Sequence, residues 1–400
     1  MSVVIIGAGQ AGATAAAELR RQGFEGRILL IGAEDHAPYE RPPLSKNVLL
    51  QPESTRCAIF SDDFYEKQRI ELKLGNPVRA IDTTLRTLVL SDGEICSFDQ
   101  LLLATGARVR RLPLLDQLGD NVYTLRTLDD ARRLLPMLCP GRRILVVGGG
   151  VIGLELASSA VDLGVQVTLI EQASTLMGRC SPPILNAYLG AVHRARGVSI
   201  HLGASIVDAT REQGELRIDL ADGTQLRGDA IIYGIGVEPD TELASAAGLE
   251  VDNGILIDEN GVTSHAAIYA AGDAARQRDG IDVRYIRRET WENANNQAIS
   301  AVRTMLGLAQ NPIGVPWFWT DQCQMNIQFA GDMAAHEWIV RGSMEEEKFV
   351  LFGLTHGHIV GGITVNQGRD MRSVKALIAA NKTIKLSILC DLQHDLRSLL

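Results

Sequence analysis

The sequence predicts an α/β fold with two similar halves and a smaller C-terminal part, because one pattern of strand, glycine turn and helix occurs twice. In the first copy the apolar run 3–6 predicts a strand that is buried on both faces. The alanine-rich segment 11–21 predicts the helix that follows, and Gly23 marks its end. A further strand, 28–31, runs toward Glu34. The turn between the first strand and the helix has the spacing Gly-x-Gly-x-x-Gly and contains Gly7, Gly9 and Gly12.

The second copy repeats these elements in the same order. The run 144–147 predicts a strand, and a helix of about four turns ends near Gly164. A strand over 165–170 is followed directly by Glu171. The glycines of the second turn are Gly148, Gly150 and Gly153. In both copies the acid stands about 20 residues beyond the glycines, which is the position of a ribose-binding carboxylate.

Two such patterns predict two bound dinucleotides. Glycines at a strand-to-helix turn let a pyrophosphate approach the backbone, and the helix N-terminus attracts its negative charge. The carboxylate then binds ribose hydroxyls, and Glu171 would repel the 2′-phosphate of NADP, which favours NAD at the second site. Arg179 is close enough in the sequence to leave NADP open. The alternative, a pair of ordinary tight turns, accounts less well for two copies that both carry their acids.

The endings of the two halves are also alike, which indicates an internal duplication. A hairpin-like region over 72–90 precedes a strand over 101–103 and the segment Ala104-Thr105-Gly106. In the second half the corresponding segments are 199–220, 230–233 and Gly234-Ile235-Gly236.

After the second half the chain returns to the first domain. A strand over 268–271 ends at Gly272 and Asp273, and a helix begins near Trp291. Asp273 at this strand end is suited to binding ribityl or ribose hydroxyls, and it is equally suited to a helix cap or an Asx turn.

The composition changes from about residue 312 onward. The apolar segments 349–354 and 359–365 predict a hairpin around His356-Gly357, and a helix follows from about residue 374. The predicted domains are therefore a first dinucleotide-binding domain in two parts (1–108 and 237–311), an inserted second one (109–236) and a C-terminal α+β domain (312–400).

The composition indicates a large enzyme without a nucleic-acid or membrane partner. The chain has 400 residues, of which 46% are hydrophobic, and its net charge of −9 disfavours nucleic-acid binding. No apolar run reaches about 18 residues without a charge, so no membrane span is expected. The N-terminus begins the first strand without a basic region or a cleavage site, so we expect a cytoplasmic protein.

The cysteines have no C-x-x-C or other metal-ligand spacing, so we interpret them as free thiols and expect no metal site. They are Cys57, Cys96, Cys139, Cys180, Cys323 and Cys390.

Longer motifs cover essentially the whole chain, and in order they read GAGQAG, PYERPPLSK (38–46), ATG, GGGVIGLELA (148–157), YGIG, AAGDAA, WENANNQA (291–298), PWFWTDQ (316–322) and NQGR. This series resembles that of the FAD-dependent ferredoxin–NAD(+) reductase components of bacterial aromatic-ring dioxygenases, of the phenylpropionate/cinnamate type. Rubredoxin and putidaredoxin reductases are similar relatives. The resemblance implies a glutathione-reductase-like flavoprotein with an FAD domain, an inserted NAD domain and a C-terminal interface domain, in a chain that forms a dimer or associates weakly.

The resemblance also implies roles for individual residues. It implies that Lys46 lies near the flavin ring, that Asp273 binds the flavin chain and that Glu34 binds the adenosine ribose. The other FAD-binding residues that it implies are Gly7, Gly9, Gly12, Arg41, Val78, Thr105, Gly106, Arg126, Gly272 and Trp291. The NAD-binding residues that it implies are Gly148, Gly150, Val151, Ile152, Gly153, Glu155, Glu171, Arg179 and Gly236.

Three residues take catalytic roles in this resemblance: Lys46, Glu155 beside the nicotinamide carboxamide, and Trp319 on the path toward an iron–sulfur partner. Taken alone, each has a simpler interpretation. Lys46 and Arg41 have the character of solvated loop charges, and Glu155 that of an exposed acid in the first turns of a helix. Trp319 has the character of a buried core aromatic.

The resemblance implies transfer of a hydride from NADH to FAD, followed by single electrons to a two-iron two-sulfur ferredoxin that feeds a terminal oxygenase. No catalytic acid–base pair is needed. Such ferredoxins are commonly acidic, so local basic residues are docking candidates, although charge clusters are usually solvated surface. The candidates are Arg284, Arg287, Arg288, Arg369, Arg372 and Lys375.

Besides a rubredoxin/putidaredoxin reductase-like protein that serves a monooxygenase, two other functions stay open. One is an NADH oxidase, peroxidase or disulfide reductase of the same fold, which is disfavoured because Ser45-Lys46 stands where a redox cysteine is expected. The other is a flavin-binding regulatory protein with residual reductase activity.

Overall fold

The computed structural model describes residues 1–178, 180–212, 214–280, 284–312, 314–381 and 383–400. Contacts within the chain divide it into two compact units. Unit 1 comprises Met1–Glu40, Arg56–Arg108 and Val237–Ile313. Unit 2 comprises Arg41–Thr55, Val109–Gly236 and Gly314–Leu400. The four predicted domain ranges stay a prediction.

The strands, in chain order, are β1 (Ser2–Ile6), β2 (Arg27–Ile31), β3 (Ile70–Lys73), β4 (Val78–Asp82), β5 (Thr87–Leu90), β6 (Ile95–Ser97), β7 (Gln100–Leu103), β8 (Ala107–Val109), β9 (Val122–Tyr123), β10 (Arg143–Val147), β11 (Gln166–Glu171), β12 (Ser199–Leu202), β13 (Ile206–Glu212), β14 (Glu215–Leu220), β15 (Gln225–Gly228), β16 (Ala230–Tyr233), β17 (Val237–Pro239), β18 (Ile255–Ile257), β19 (Ile268–Ala270), β20 (Ala275–Asp279), β21 (Arg284–Ile286), β22 (Trp317–Gln322), β23 (Met325–Gly331), β24 (Glu337–Ser343), β25 (Lys348–Thr355) and β26 (His358–Val365). The α-helices are α1 (Gln10–Arg21), α2 (Asn47–Leu50), α3 (Phe64–Lys67), α4 (Pro113–Asp116), α5 (Leu128–Leu134), α6 (Val151–Asp162), α7 (Pro183–Ala195), α8 (Glu242–Ala246), α9 (Trp291–Met305), α10 (Met371–Ala380) and α11 (Leu386–Cys390).

Unit 1 is built on a parallel sheet with the strand order β19-β7-β1-β2-β3 among its described strands. Because both faces of this sheet are covered, its central strands are continuous apolar runs. On one face, alanines such as Ala15 and Ala298 are fully buried between α1, α9 and the sheet. On the other face, Leu88 and Leu90 of the β4-β5-β6 layer are buried against the sheet strands.

Unit 2 contains a second parallel sheet, whose described strands run in the order β12-β11-β10-β16-β9. The antiparallel layer β13-β14-β15 packs against it through apolar residues such as Leu216 and Ile218. The strand order β7-β1-β2-β3 of unit 1 thus reappears as β16-β10-β11-β12, which agrees with the predicted duplication.

The remainder of unit 2 is an antiparallel sheet with the order β22-β23-β26-β25-β24, covered on one face by α10. The predicted hairpin around His356-Gly357 is confirmed, since β25 and β26 pair antiparallel on either side of it. Helix α10 begins at Met371, three residues before the predicted start, and it buries Val374 and Leu377 against the sheet.

The two predicted hairpin-like regions were wrong at their beginnings. In the first region, β3 pairs parallel with β2 and forms an edge of the main sheet. In the second, β12 pairs parallel with β11 in the same way. Only the later strands of each region form antiparallel pairs. The reason is that the alternation of apolar residues identifies a strand without identifying its partner.

Candidate dinucleotide sites and the Lys46 cluster

The glycines of the first turn divide into two kinds. A Cβ atom on Gly7 would lie 2.0 Å from the carbonyl oxygen of Ala104, and Gly7 has a φ of +112°. A Cβ on Gly12 would lie 1.9 Å from the carbonyl oxygen of Gly7. The fold itself therefore requires glycine at both positions. A Cβ on Gly9 would meet no atom within 4 Å, and Gly9 has ordinary extended backbone angles. The protein alone thus gives no reason for glycine at position 9.

The second turn shows the same division. A Cβ on Gly148 would lie 2.3 Å from the carbonyl oxygen of Gly234, and a Cβ on Gly153 would lie 1.9 Å from that of Gly148. A Cβ on Gly150 would meet nothing within 4 Å. Gly9 and Gly150 are the N-caps of α1 and α6, where backbone N–H groups point out of the helix without side-chain caps. Open space in front of free N–H groups fits the close approach of a pyrophosphate.

The two predicted ribose carboxylates lie beside these turns. Glu171 ends β11, and its Oε2 accepts a hydrogen bond of 2.5 Å from the backbone N–H of Gly149. Its Oε1 accepts a second one of 2.7 Å from Ala173. Glu34 follows β2 and accepts a hydrogen bond of 2.5 Å from the hydroxyl of Tyr39. Each carboxylate is thus held in place beside its glycine turn. Arg179 lies outside the described residues.

Residues at the strand ends of unit 1 gather around the first turn. Gly272 has a φ of +79°, and a Cβ there would lie 3.2 Å from the Cβ of Ala11 in α1. The N–H of Gly272 donates to Gln297 of α9 at 2.9 Å, and Asp273 is the next residue. Trp291 opens α9 and donates from its indole to Glu40 at 3.2 Å. Sequence reasoning missed Gln297, which fixes this strand end.

The remaining predicted cofactor contacts differ in their hydrogen bonding, backbone conformation and burial. Thr105 donates from its hydroxyl to the carbonyl of Asp240 at 2.6 Å, and Gly106 has a φ of +74°. Its counterpart Gly236 has a φ of +101°. Val78 is buried in the core of unit 1, so only its backbone is available to a ligand.

Two predicted contacts lie at the start of α6 and two others in a loop pair of unit 2. Val151 and Ile152 form the first turn of α6, and the side chain of Ile152 is exposed. Arg41 donates to the carbonyl of Arg126 at 2.6 Å, directly before the capping box that begins α5. Arg41 is half-buried, so it is not simply a solvated loop charge.

A polar network in unit 2 joins three distant segments of the chain. We call it the Lys46 cluster, and it consists of Ser45, Lys46, Glu155, Trp319, Thr320 and Asp321. The ammonium of Lys46 lies 3.1 Å from Glu155 Oε1 and 2.9 Å from Asp321 Oδ2. It also lies 5.5 Å from the centre of the Trp319 ring. The side chain of Lys46 is only 12% exposed, so the interpretation as a solvated loop charge was wrong.

Glu155 is the buried centre of the Lys46 cluster. Its side chain is 3% exposed, so its interpretation as an exposed acid was wrong. Oε2 accepts from the Ser45 hydroxyl at 2.5 Å, and Oε1 accepts from the Thr320 hydroxyl at 2.6 Å and from the N–H of Asp321 at 3.3 Å. Burial raises the pKa of Glu155, while Lys46 and the hydroxyls of Ser45 and Thr320 oppose this change. The carboxylate is therefore buried with its hydrogen-bond acceptors satisfied.

Trp319 lies at the edge of this cluster and is half-buried, so its interpretation as a buried core aromatic was wrong. Its indole donates to Asp321 Oδ2 at 3.1 Å. Its ring stacks on that of Trp317 with 5.1 Å between centres and 20° between planes. The ammonium of Lys375, on α10, lies 6.0 Å from the centre of the Trp317 ring. Trp317, Trp319 and Asp321 share one face because alternate residues of a strand point the same way.

The candidate docking cations lie in both units. In unit 1, Arg287 pairs with Glu289 at 2.5 Å and Arg288 lies 3.9 Å from Asp279, so part of their charge is compensated. In unit 2, Arg369 and Arg372 are exposed near the start of α10.

The described residues contain no group of three or more His, Cys, Asp or Glu side chains arranged to hold a metal ion. The six cysteines are all free thiols. In the part of the chain that the structure describes, no helix combines the length and the hydropathy needed to cross a bilayer.

Comparison with known proteins gives matches along the whole chain. Residues 1–298 match the family described as pyridine nucleotide-disulphide oxidoreductase, and residues 317–400 match the one described as reductase C-terminal. The chain is 51% identical over 376 residues to the 3-phenylpropionate/cinnamic acid dioxygenase ferredoxin–NAD(+) reductase component of Photorhabdus laumondii. This match covers 94% of the chain and 95% of that protein.

Two solved structures are similar over the full length of the chain. Putidaredoxin reductase in its covalent complex with putidaredoxin is 35% identical with a TM-score of 0.94, and the match covers 100% of this chain and 97% of that one. The ferredoxin reductase for the CYP199A2 system from Rhodopseudomonas palustris is 34% identical with a TM-score of 0.94, over 100% and 99% of the two chains. These matches confirm the predicted fold class and the resemblance from which the site residues were assigned.

Proposed function

The chain belongs to the pyridine nucleotide-disulphide oxidoreductase family, and on that premise we propose that it is an NADH:ferredoxin oxidoreductase of a multicomponent aromatic-ring dioxygenase. It is an oxidoreductase with FAD and NAD as its cofactors. In the proposed reaction FAD accepts a hydride from NADH, and its electrons leave singly to a two-iron two-sulfur ferredoxin that feeds a terminal oxygenase. We further propose a cytoplasmic location and a homodimer.

The observation that carries this proposal is the pair of glycines, Gly9 and Gly150, whose missing side chains face open space. At each turn the neighbouring glycines are required by the protein backbone, but the middle one is not. A ligand that touches the backbone explains both middle glycines at once, and we propose FAD as the ligand at the first turn and NAD at the second.

The residues of each turn then take defined roles. We propose that Glu34 and Asp273 bind FAD hydroxyls, with Arg41, Arg126, Thr105, Gly106, Gly272, Trp291 and the Val78 backbone as further contacts. For NAD, we propose Glu171 on the ribose hydroxyls and Glu155 beside the carboxamide, with Ile152 and Gly236 as apolar and backbone contacts. The free N–H groups of α1 and α6 bind the two pyrophosphates.

The Lys46 cluster supplies electrostatics rather than acid–base chemistry in this proposal. Hydride transfer between two bound cofactors requires their distance, stacking and surrounding charge to be fixed. Lys46 is held by carboxylates on two sides and therefore presents its charge at a fixed position. We propose that this charge acts on the flavin.

The docking of ferredoxin is proposed for the α10 side of unit 2. The stacked rings of Trp319 and Trp317 lead from the Lys46 cluster to Lys375, and Arg372 and Arg369 are exposed a few residues away along the chain. A basic surface at the end of an aromatic stack suits an acidic electron acceptor. The cations of unit 1 are less favoured because Arg287 and Arg288 have acidic partners.

A second candidate function is that of a reductase for the ferredoxin of a monooxygenase. The similarity to putidaredoxin reductase over the whole chain favours it. The disulfide-reductase alternative has less support, because Ser45 donates its hydroxyl to Glu155 and stands where the redox cysteine is expected.

An anaerobic titration of the purified protein with NADH, and separately with NADPH, tests the proposal. We expect NADH to bleach the flavin absorbance stoichiometrically and NADPH to require a much higher concentration. Turnover is then compared with a two-iron two-sulfur ferredoxin, with hydrogen peroxide and with a disulfide. A protein that takes up no FAD, or that reduces peroxide or a disulfide as fast as ferredoxin, contradicts the proposal.

A further inference from the structure

We propose that Asp321 is a positioning residue, which fixes the ammonium of Lys46 and the indole of Trp319 through one carboxylate oxygen and offsets the positive charge of Lys46. This inference rests on the function proposed above, because it concerns how the charge of Lys46 acts on the flavin. It assigns Asp321 a role in setting the reduction potential and in delivering electrons through Trp319.

The contacts of Asp321 support this role directly. Its Oδ2 atom accepts from Lys46 Nζ at 2.9 Å and from Trp319 Nε1 at 3.1 Å. Its Oδ1 atom accepts from Asn326 Nδ2 at 2.7 Å. One oxygen thus joins the cation to the aromatic ring, and the other ties the carboxylate to the neighbouring strand.

The position of Asp321 is itself fixed by the hairpin that carries it. Asp321 pairs with Asn326 across β22 and β23, which are joined by the two-residue turn Cys323-Gln324. Both turn residues have positive φ, +53° and +61°, as tight hairpin turns with this twist require. The N–H of Cys323 donates to the hydroxyl of Ser158 in α6 at 2.7 Å. The hairpin end is therefore attached to α6, the helix that also carries Glu155.

The charges of the Lys46 cluster give Asp321 an electrostatic role as well. With all three groups ionised, one lysine lies between two carboxylates, so the cluster has one negative charge in excess. Glu155 is buried, while the Asp321 side chain is 43% exposed. When the charge of Asp321 is removed, the charges of Lys46 and Glu155 cancel, and the net charge of the cluster becomes less negative. Because a flavin gains negative charge on reduction, a less negative surrounding favours its reduced form.

A purely structural role for Asp321 makes different predictions. In that case Asp321 acts only through its hydrogen bond to Asn326. Removal of that bond alone should then change the measured properties as much as substitution of Asp321 does. Three variants separate the two roles: Asp321→Asn removes the charge with little change of shape, Asn326→Ala removes the strand contact, and Glu345→Gln removes an exposed negative charge elsewhere in the C-terminal region.

The test measures the flavin midpoint potential of the holoenzyme and its steady-state turnover with a two-iron two-sulfur ferredoxin. We expect Asp321→Asn to raise the potential and to lower kcat for ferredoxin roughly 10-fold or more, with KM for NADH unchanged. Asn326→Ala and Glu345→Gln should leave the potential at the wild-type value. An unchanged potential in Asp321→Asn, or an equal shift in Asn326→Ala, overturns the inference.

A second measurement separates this inference from the proposed function. In the full-length protein as purified, the changes in denaturant midpoint caused by Asp321→Asn, by Lys46→Met and by the double variant should be non-additive, because both substitutions break the same ion pair. Additive effects contradict the pairing of Asp321 with Lys46 whatever the cofactor does. If these variants show the coupling but the wild-type protein reduces no ferredoxin, the proposed function fails and the contact of Asp321 with Lys46 stands.

Discussion

Lys46 Nζ lies 3.1 Å from Glu155 Oε1, and the two side chains are 12% and 3% exposed. A pair this deeply buried differs from a surface ion pair because neither partner is solvated once the other is removed. The hydroxyls of Ser45 and Thr320 complete the shell of Glu155, but they are neutral donors.

We therefore expect Lys46→Met to destabilise the FAD-free protein by about 3–5 kcal/mol, because it leaves a buried carboxylate without a cation. Adding Glu155→Gln to this variant should recover part of the loss. Chemical denaturation measures both effects. The control is Arg27→Met, which breaks the exposed pair with Glu71 and should cost about 0.2–1 kcal/mol. Equal losses in Lys46→Met and Arg27→Met would show that the Lys46 pair is solvated in the folded protein.

Substitution of the middle glycines should affect cofactors more than folding. Because a Cβ at Gly9 or Gly150 meets no protein atom, Gly9→Ala and Gly150→Ala should change the free energy of unfolding of the cofactor-free protein by less than about 1 kcal/mol. The added methyl group occupies the space of the pyrophosphate, so the affinity for FAD or for NADH should fall at least about 10-fold. Titration calorimetry and denaturation give the two quantities.

Gly12→Ala is the matched control for this prediction. Its Cβ would lie 1.9 Å from the carbonyl oxygen of Gly7, so it should impair folding before any cofactor is added. If Gly9→Ala binds FAD as tightly as the wild type, the first turn does not contact a pyrophosphate.

The choice between NADH and NADPH should depend on Glu171. Its carboxylate is fixed beside the second glycine turn by the N–H groups of Gly149 and Ala173. Glu171→Ala should raise the KM for NADH roughly 10-fold and reduce the discrimination against NADPH, because the ribose ligand and its negative charge are both lost. Steady-state kinetics with each nucleotide tests this, with the exposed Asp208→Asn as a control. An unaltered preference shows that another group binds the ribose.

The free energy of unfolding should fall at acidic pH, because His193 is protonated in the unfolded chain and neutral in the folded protein. This side chain is fully buried and bonded to Gln322 at 2.8 Å. Burial and the nearby charge of Arg196 lower its pKa, so it stays neutral in the folded protein while the unfolded chain takes up a proton near about pH 6.5. The stability that depends on neutral His193 is present above that pH and is lost below it.

As the pH falls from about 7.5 to about 5.5, we expect the free energy of unfolding to decrease more and more steeply. Near the lower pH the slope should approach about 1.4 kcal/mol per pH unit. It is measured as the difference in denaturant midpoints between the wild type and His193→Gln at each pH. The exposed His336→Gln serves as the control. A pH dependence that is the same in His193→Gln and in the wild type contradicts this role.

Local sequence patterns were sufficient for much of the fold. Gly7 and Gly148 mark turns whose spacing is set by the backbone, and α9 begins at Trp291 as predicted. The partners of β3 and β12 could not be predicted, because alternation along a strand does not encode which strand lies beside it.

The environment of Glu155 could not be predicted either. Its burial depends on Ser45 and Thr320, which are far from it in sequence. One signal was available for its neighbours: Trp319 and Asp321 are two residues apart, and alternate residues of a strand share a face. That spacing alone indicates a carboxylate beside the indole.

Helix α6 limits how far the chain can be treated as a set of exchangeable modules. Three of its side chains form hydrogen bonds outside the nucleotide fold: Glu155 and Ser159 to Ser45, and Ser158 to Cys323. The stability of the inserted fold therefore depends on residues outside the segment that its strand order defines. A segment cut at 109 and 236 would lose all three of these hydrogen bonds. Exchange of nucleotide preference by grafting a relative's inserted domain should therefore succeed only when residues 41–55 and the β22–β23 hairpin are transferred with it.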